Sequence, residues 1–321
     1  MLNFACIMKS ILTAVLCTSL CACGAGADQA SVKESPSYSS WATPSISTAH
    51  IRTEPRHGSE MSSQALMGTP LKLTAKTDNG WCRIETPEGY TGYINGNTLA
   101  ELDSAGFDEW RRAPRVIVTS VNEVKAYSDT SDFTVMSDLV PGCIIAGRKE
   151  PGDGFVAVAL PDRRTGFVEA RHLTDLDEWA DSRPSAEAII DLAMNQTGAP
   201  YLWGGLSSKG MDCSGLTKMA YYRCGIILPR DASQQAVCGT PVPLDSLQKG
   251  DLLFFGNVAT GRVNHVGIYD TDGYFIEAAG RVRRSLLADN QNFLYARRII
   301  GADSIATARL HPWYFINKGP K

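Results

Sequence analysis

The sequence predicts an α+β chain in which two small β-barrels precede a unit of two helices and an antiparallel sheet. Three observations lead there. The stretch from about residue 40 to 179 repeats itself: Gly80-Trp-Cys-Arg-Ile84, Thr91-Gly-Tyr-Ile94 and Leu99 return as Gly154-Phe-Val-Ala-Val158, Thr165-Gly-Phe-Val168 and Leu173. In both copies twelve residues separate the glycines (80 to 92, 154 to 166) and six separate the second aromatic from the leucine (93 to 99, 167 to 173). Short alternating runs cut by Gly, Pro and Asp-Asn suit small barrels. After residue 185 come two helical stretches, and beyond residue 250 extended apolar runs alternate with turns.

The 321 residues, 44% hydrophobic and 20% charged, have a globular composition and are too many for one small core, so two or three domains are expected. A net charge of −3 without a basic tract argues against nucleic acid as a partner. Met8-Lys-Ser10 precedes an apolar run, Ile11 to Leu20, that is too short to span a bilayer and suits a signal-peptide core. The run ends in Leu20-Cys-Ala-Cys23-Gly24, which resembles a bacterial lipobox and implies cleavage before Cys23 and a lipid on it. The alternative here is a plain secretory signal cut after a small residue. A signal peptide with lipobox over residues 1–23 and an Ala-, Ser- and Pro-rich tether over 24–47 are therefore expected.

Of nine cysteines, five lie beyond this segment: Cys82, Cys143, Cys213, Cys224 and Cys238. Their odd number, wide spacing and lack of a C-x-x-C pair indicate neither a disulfide framework nor a zinc site, and no metal or cofactor is expected. The two repeats divide as 48–112 and 113–180, each followed or closed by Asp-Glu-Trp (Asp108 to Trp110, Asp177 to Trp179), which is expected to pack the barrels on their neighbours. Trp81 and Tyr93 match Phe155 and Phe167 and are expected to fill barrel cores. Tyr90 and Glu54 have no such counterparts and are the better candidates for a binding cleft.

The third unit spans 185–321. Ser185 to Thr197 places Ile189, Ile190, Ala193 and Met194 on one helical face, with Ser185 as cap and Gly198 as stop. A Gly-rich approach, Tyr201 to Gly210, then delivers Cys213 to the first turn of a second helix, capped by Asp212 and stopped by Gly225. A thiol there sits among unsatisfied backbone N–H groups and a partial positive charge, which favours the thiolate; the same N–H groups can receive an oxyanion. Extended runs follow: Leu252 to Phe255, His265 to Tyr269, Tyr274 to Ala278 and Tyr295 to Ile300. His265 is the candidate base. If the turn Asp270-Thr-Asp-Gly273 joins the strands with an odd loop, Glu277 stands directly opposite His265 and can accept its second N–H.

Asp212-Cys-Ser-Gly215, Tyr201-x-Trp-Gly-Gly205, Leu228-Pro-Arg-Asp231, Lys249-Gly-Asp-Leu252 and His265-Val-Gly-Ile-Tyr269, in this order over roughly residues 185 to 300, resemble the NlpC family of cell-wall cysteine peptidases. The resemblance implies a papain-like catalytic domain, and the repeat pattern resembles bacterial SH3-like domains. It further implies that Tyr201 borders the nucleophile and that Asp212, Ser214 and Ser233 meet the substrate. Glu277 stands where the family usually has His. The two-barrel layout resembles γ-D-glutamyl-L-diamino-acid endopeptidases. The expected activity is therefore cysteine-dependent hydrolysis of peptidoglycan stem peptides with a free N-terminal L-Ala, by an exported, lipid-anchored monomer. The alternative is a non-catalytic peptidoglycan-binding lipoprotein, against which the intact Cys213 and His265 count.

Overall fold

The computed structural model describes residues 40–150, 152, 154–303 and 305–316; the expected signal peptide, its lipobox cysteine Cys23 and most of the tether lie outside the described residues. Each repeat is a seven-stranded antiparallel sheet, the first from Ser40–Pro44 to Leu99–Leu102, the second from Arg115–Val118 to Leu173–Asp175. In both, the strands lie in the order third, second, sixth, fifth, fourth, first, seventh, so the sequence repeat is a repeat of topology.

Two expectations about this region change. The tether does not reach residue 47: Ser40–Pro44 is already a strand, paired with Leu71–Lys76 and Leu99–Leu102. Its Ser and Pro composition hid the apolar contacts it makes, since Ala42 is fully buried and the Trp41 ring stacks on Phe107 at 3.8 Å. Of the repeat aromatics Trp81 is buried as expected, whereas Tyr93 is only partly buried and the second-copy counterparts of both lie outside the core. Alternation along a strand allows only one parity to face inward; the inward set is Cys82, Ile84 and Ile94 in the first copy and Val156, Val158 and Val168 in the second. Phe155 and Phe167 are accordingly 40% and 36% exposed. Trp81 is buried with the His57 ring edge-on at 5.0 Å.

In the third unit the helices Ala186–Asn195 and Cys213–Tyr222 pack on a six-stranded antiparallel sheet. The Ser185 hydroxyl caps the first through the Ala188 N–H, and Gly198 follows its end at φ 91°. Leu192, not Met194, completes the apolar face; Met194 is exposed. The sheet runs Thr240–Val242, Phe293–Arg298, Leu252–Asn257, Arg262–Tyr269, Tyr274–Ala279, Arg281–Leu286, so both edge strands are additions to the expected set. Leu252, Phe254, Val266, Ile268, Ile276 and Ala278 share a core with Leu216, Ala220 and Tyr221 of the Cys213 helix, while Leu253, Phe255 and Phe275 form a second cluster.

Every residue of the Cys213 helix is buried, its core-facing side against the sheet and other residues in contact with both repeats. Trp179 donates its indole N–H to the Tyr222 carbonyl at 3.0 Å, as expected for the second Asp-Glu-Trp. Lys218 donates to the Leu228 carbonyl at 2.6 Å and pairs with Glu88 of the first repeat at 3.1 Å. Buried charges persist only when paired and hydrogen-bonded, so this ion pair also sets how the first repeat meets the helix.

Candidate active site

Cys213 is the first residue of its helix and is 7% exposed. Asp212 caps the helix: Oδ1 accepts the Gly215 N–H at 2.7 Å and Oδ2 the Gly204 N–H at 2.8 Å. The Arg230 guanidinium takes both carboxylate oxygens, donates to Ser214 Oγ at 2.9 Å and reaches Ser63 of the first repeat at 3.0 Å. Arg230 is 1% exposed, so removing one side of this pair is a disruption of roughly 3–5 kcal/mol. The Gly-rich approach has a steric reason. Gly204 sits at φ 78° with room for no Cβ, which would come 2.4 Å from the Met61 carbonyl, and a Cβ at Gly215 would come 2.1 Å from the Gly205 carbonyl.

His265 lies on Arg262–Tyr269 across from Phe255, whose ring is 5.7 Å away. Its Nε2 meets Glu277 Oε2 at 2.6 Å, and Cys213 and Glu277 both favour the protonated imidazole. The two side chains are not directly opposite. The strands pair Ile268 with Ile276 and Tyr269 with Phe275, and one step further sets Glu277 across from Gly267, diagonal to His265 on the same face. Two long side chains span that diagonal.

Burial pushes His265 down, but the hydrogen bonds and charges of Cys213 and Glu277 outweigh it and lift the imidazole to about 9. Burial likewise pushes Glu277 up, but His265, Ser285 and Arg283 outweigh it and hold the carboxyl at about 2. At neutral pH, therefore, His265 carries the proton between an ionised carboxylate and the sulfur. Burial raises the thiols of Cys82, Cys224 and Cys238, and that of Cys143 to about 12. Near Cys213, burial and the charges of Cys213 and Asp212 raise the Tyr201 hydroxyl to about 12, so it stays a neutral donor.

Cys213 opens into a cleft of about 860 Å3 lined also by Ser214, Asp231, Ser233 and the hairpin residues Asn257, Thr260, Arg262 and Asn264; the expected contact Tyr201 is not among its lining residues. Glu60, Ser62 and Tyr90 of the first repeat complete it. Of the expected contacts, Ser233 is exposed in the cleft and Tyr90 lines it, its hydroxyl 3.5 Å from the Ser62 carbonyl. Asp212 and Ser214 border the cleft with side chains already engaged by Arg230. Glu54 is not there: it is exposed and paired with Arg56 at 2.8 Å. The first repeat's carboxylate at the cleft is Glu60, which accepts the Trp203 indole N–H at 2.6 Å. Sequence reading missed it because Thr53 to Ser59 forms a turn that carries Glu54 away, and no periodicity reports which carboxylate a turn brings back. Among the described residues no group of His, Cys, Asp or Glu is arranged to hold a metal ion.

A thiol at a helix start, an imidazole whose proton it favours and a carboxylate behind the imidazole define a cysteine hydrolase site. The NlpC/P60 family model matches residues 198–301 and a bacterial SH3 domain model matches residues 47–100. The chain is 41% identical over 227 residues to the gamma-D-glutamyl-L-lysine dipeptidyl-peptidase of Bacillus subtilis (strain 168), covering 67% of this chain and 71% of that protein. It is 30% identical over 221 residues to dipeptidyl-peptidase 6 of Lysinibacillus sphaericus, covering 66% and 80%. A crystal structure of an NlpC/P60 family protein from Bacillus cereus ATCC 10987 superposes with a TM-score of 0.73 at 23% identity, covering 81% of this chain and 99% of that one, which shows a common fold. The chain belongs to the NlpC/P60 family and is a cysteine peptidase.

Proposed function

We propose that the protein hydrolyses the bond between γ-D-Glu and the diamino acid of peptidoglycan stem peptides whose N-terminal L-Ala is free. The observation that carries this reading is the composite cleft, in which Glu60 and Tyr90 of the first repeat share one cavity with Cys213. A carboxylate and a phenol suit an ammonium group, and the Trp203 bond orients Glu60 while leaving its second oxygen to accept from one. The relative from Bacillus subtilis is named a gamma-D-glutamyl-L-lysine dipeptidyl-peptidase, which supports the γ-D-Glu bond.

In this reading the Cys213 sulfur attacks the γ-carbonyl carbon and a C–S bond forms as the carbonyl electrons move to oxygen. That oxyanion is met by N–H groups at the helix start and by the Tyr201 hydroxyl. His265 gives its proton to the departing amine and the C–N bond breaks, leaving a thioester. His265 then takes a proton from water, whose oxygen attacks the thioester, and the C–S bond breaks to release the acid. Glu277 holds the imidazole throughout. Glu60→Gln is expected to raise KM for L-Ala-γ-D-Glu-L-Lys about tenfold with kcat within about twofold, and to narrow the preference for this peptide over its N-acetylated form. Mass spectrometry of the products, with initial rates on both peptides, checks this; an unchanged preference removes Glu60 from recognition.

We read both repeats as SH3-like barrels and the third unit as papain-like, supported by the shared strand order of the repeats and by helices packed on one face of an antiparallel sheet. The first repeat then begins at Ser40. Among the described residues no helix is long and apolar enough to cross a membrane. Export with a lipid on Cys23 rests on the apolar run and Leu20-Cys-Ala-Cys23. Cys23→Ser is expected to move the protein from the detergent phase to the aqueous phase; equal partitioning of the two forms leaves an ordinary signal peptide.

A further inference from the structure

We infer that Arg283 is a positioning residue that, with Ser285, clamps one oxygen of Glu277 so that the other is reserved for His265. Glu277 is 3% exposed and its two oxygens have divided partners. Oε2 meets His265 Nε2 alone, at 2.6 Å. Oε1 accepts three donors: Arg283 Nε at 3.0 Å, Arg283 Nη2 at 2.9 Å and Ser285 Oγ at 2.6 Å. The edge strand Arg281–Leu286 makes this possible, because it pairs Arg283 directly with Glu277 and Ser285 with Phe275, setting both donors on the face of Glu277.

The physical need follows from the carboxylate. An unanchored carboxylate can rotate about its last bond, which is broad and roughly two-fold, and a rotating acceptor holds the imidazole in no single orientation. Buried, its charge also needs hydrogen-bonded partners beyond the imidazole. The Arg283 fork removes both problems at once, since its two donors arrive in fixed geometry and its charge offsets that of Glu277. A neutral third residue needs neither service. Arg283 is itself half exposed and does not line the cleft, so it acts through Glu277 and not on substrate.

The inference rests on Glu277 as the orienting group, and the experiment separates the two. Steady-state kinetics are measured on the full chain for Arg283→Gln, Arg283→Lys, Glu277→Gln, Glu277→His and the double variant Glu277→His/Arg283→Gln. Arg283→Gln is expected to lower kcat about tenfold with KM within about twofold, and Arg283→Lys to recover part of the loss. In the Glu277→His background the same Arg283→Gln change is expected to alter kcat less than about twofold, because the charge it serves is gone. Equal losses in both backgrounds, or parent kcat in Arg283→Gln, overturn the clamp. Parent kcat in Glu277→Gln overturns the orienting role of Glu277 and the clamp with it, whereas a loss there beside none in Arg283→Gln overturns the clamp alone. Should Arg283→Gln melt early, Ser285→Ala removes one donor to the same oxygen and is expected to lower kcat in the parent but not in the Glu277→His background; the same loss in both overturns the clamp.

Discussion

Replacing Cys213 with alanine is expected to lower turnover of the stem peptide by roughly 10^4-fold or more, because the thioester pathway loses its nucleophile while oxyanion donors and binding groups alone remain. The fold is expected to survive. Alanine is the best helix former, the Asp212 cap and its Arg230 pair do not involve the sulfur, and the side chain lost is small. Product release followed by mass spectrometry, with thermal melting as the folding control, decides it. Hydrolysis at the parent rate by a folded alanine variant sinks the mechanism. The same thiol is expected to react with iodoacetamide faster than the other four described cysteines, whose sulfurs burial holds in the thiol form.

Glu277→Gln is expected to lower kcat by roughly 10^2- to 10^3-fold with little change in KM, since the carboxylate stabilises and orients an imidazolium that matters chiefly in the transition state. Glu277→His is expected to retain more activity than Glu277→Ala. The pH profile adds a signature. In the parent, kcat/KM falls as pH rises through about 9, where His265 loses the proton it must give to the leaving amine. Glu277 helps to raise that value, so the alkaline limb of the Gln variant moves to lower pH. Stability follows the same pair. The depressed Glu277 contributes stability that is present above 4.5 and lost as pH falls through about 2, and the raised His265 contributes stability present below 6.5 and lost as pH rises through about 9. The melting difference between parent and Gln variant is therefore expected to be largest between pH 4.5 and 6.5. Parent rates in the Gln, Ala and His variants alike would remove Glu277 from the site.

Local features were legible from the residues. The Ser185 and Asp212 caps, the positive-φ Gly225 stop, the Asp270 to Gly273 turn and the repeat of strands each depend on a side chain and its near neighbours, and such short-range chemistry is written in consecutive positions. Cys213, His265 and Glu277 could be named because a thiol at a helix start and two polar residues in apolar strands are unusual where they stand. Their diagonal register could not, since it depends on how the hairpin pairs, and a shift of two residues preserves the face while changing the partner.

By itself, then, the sequence determined the repeat, the capped helices, the thiol at a helix start and the strand-borne histidine. Tertiary structure alone decided which carboxylate of the first repeat enters the cleft, Glu60 in place of Glu54, because a turn in that repeat and the indole of Trp203 143 residues away select it. It also tied the cleft residues Asp212 and Ser214 into the Arg230 network, and it brought Arg283 beside Glu277 through an edge strand whose three arginines gave no apolar signal. The physical reason is common to all three. Buried polar groups must find partners, and which partners lie within reach is settled by packing between distant segments and not by spacing along the chain.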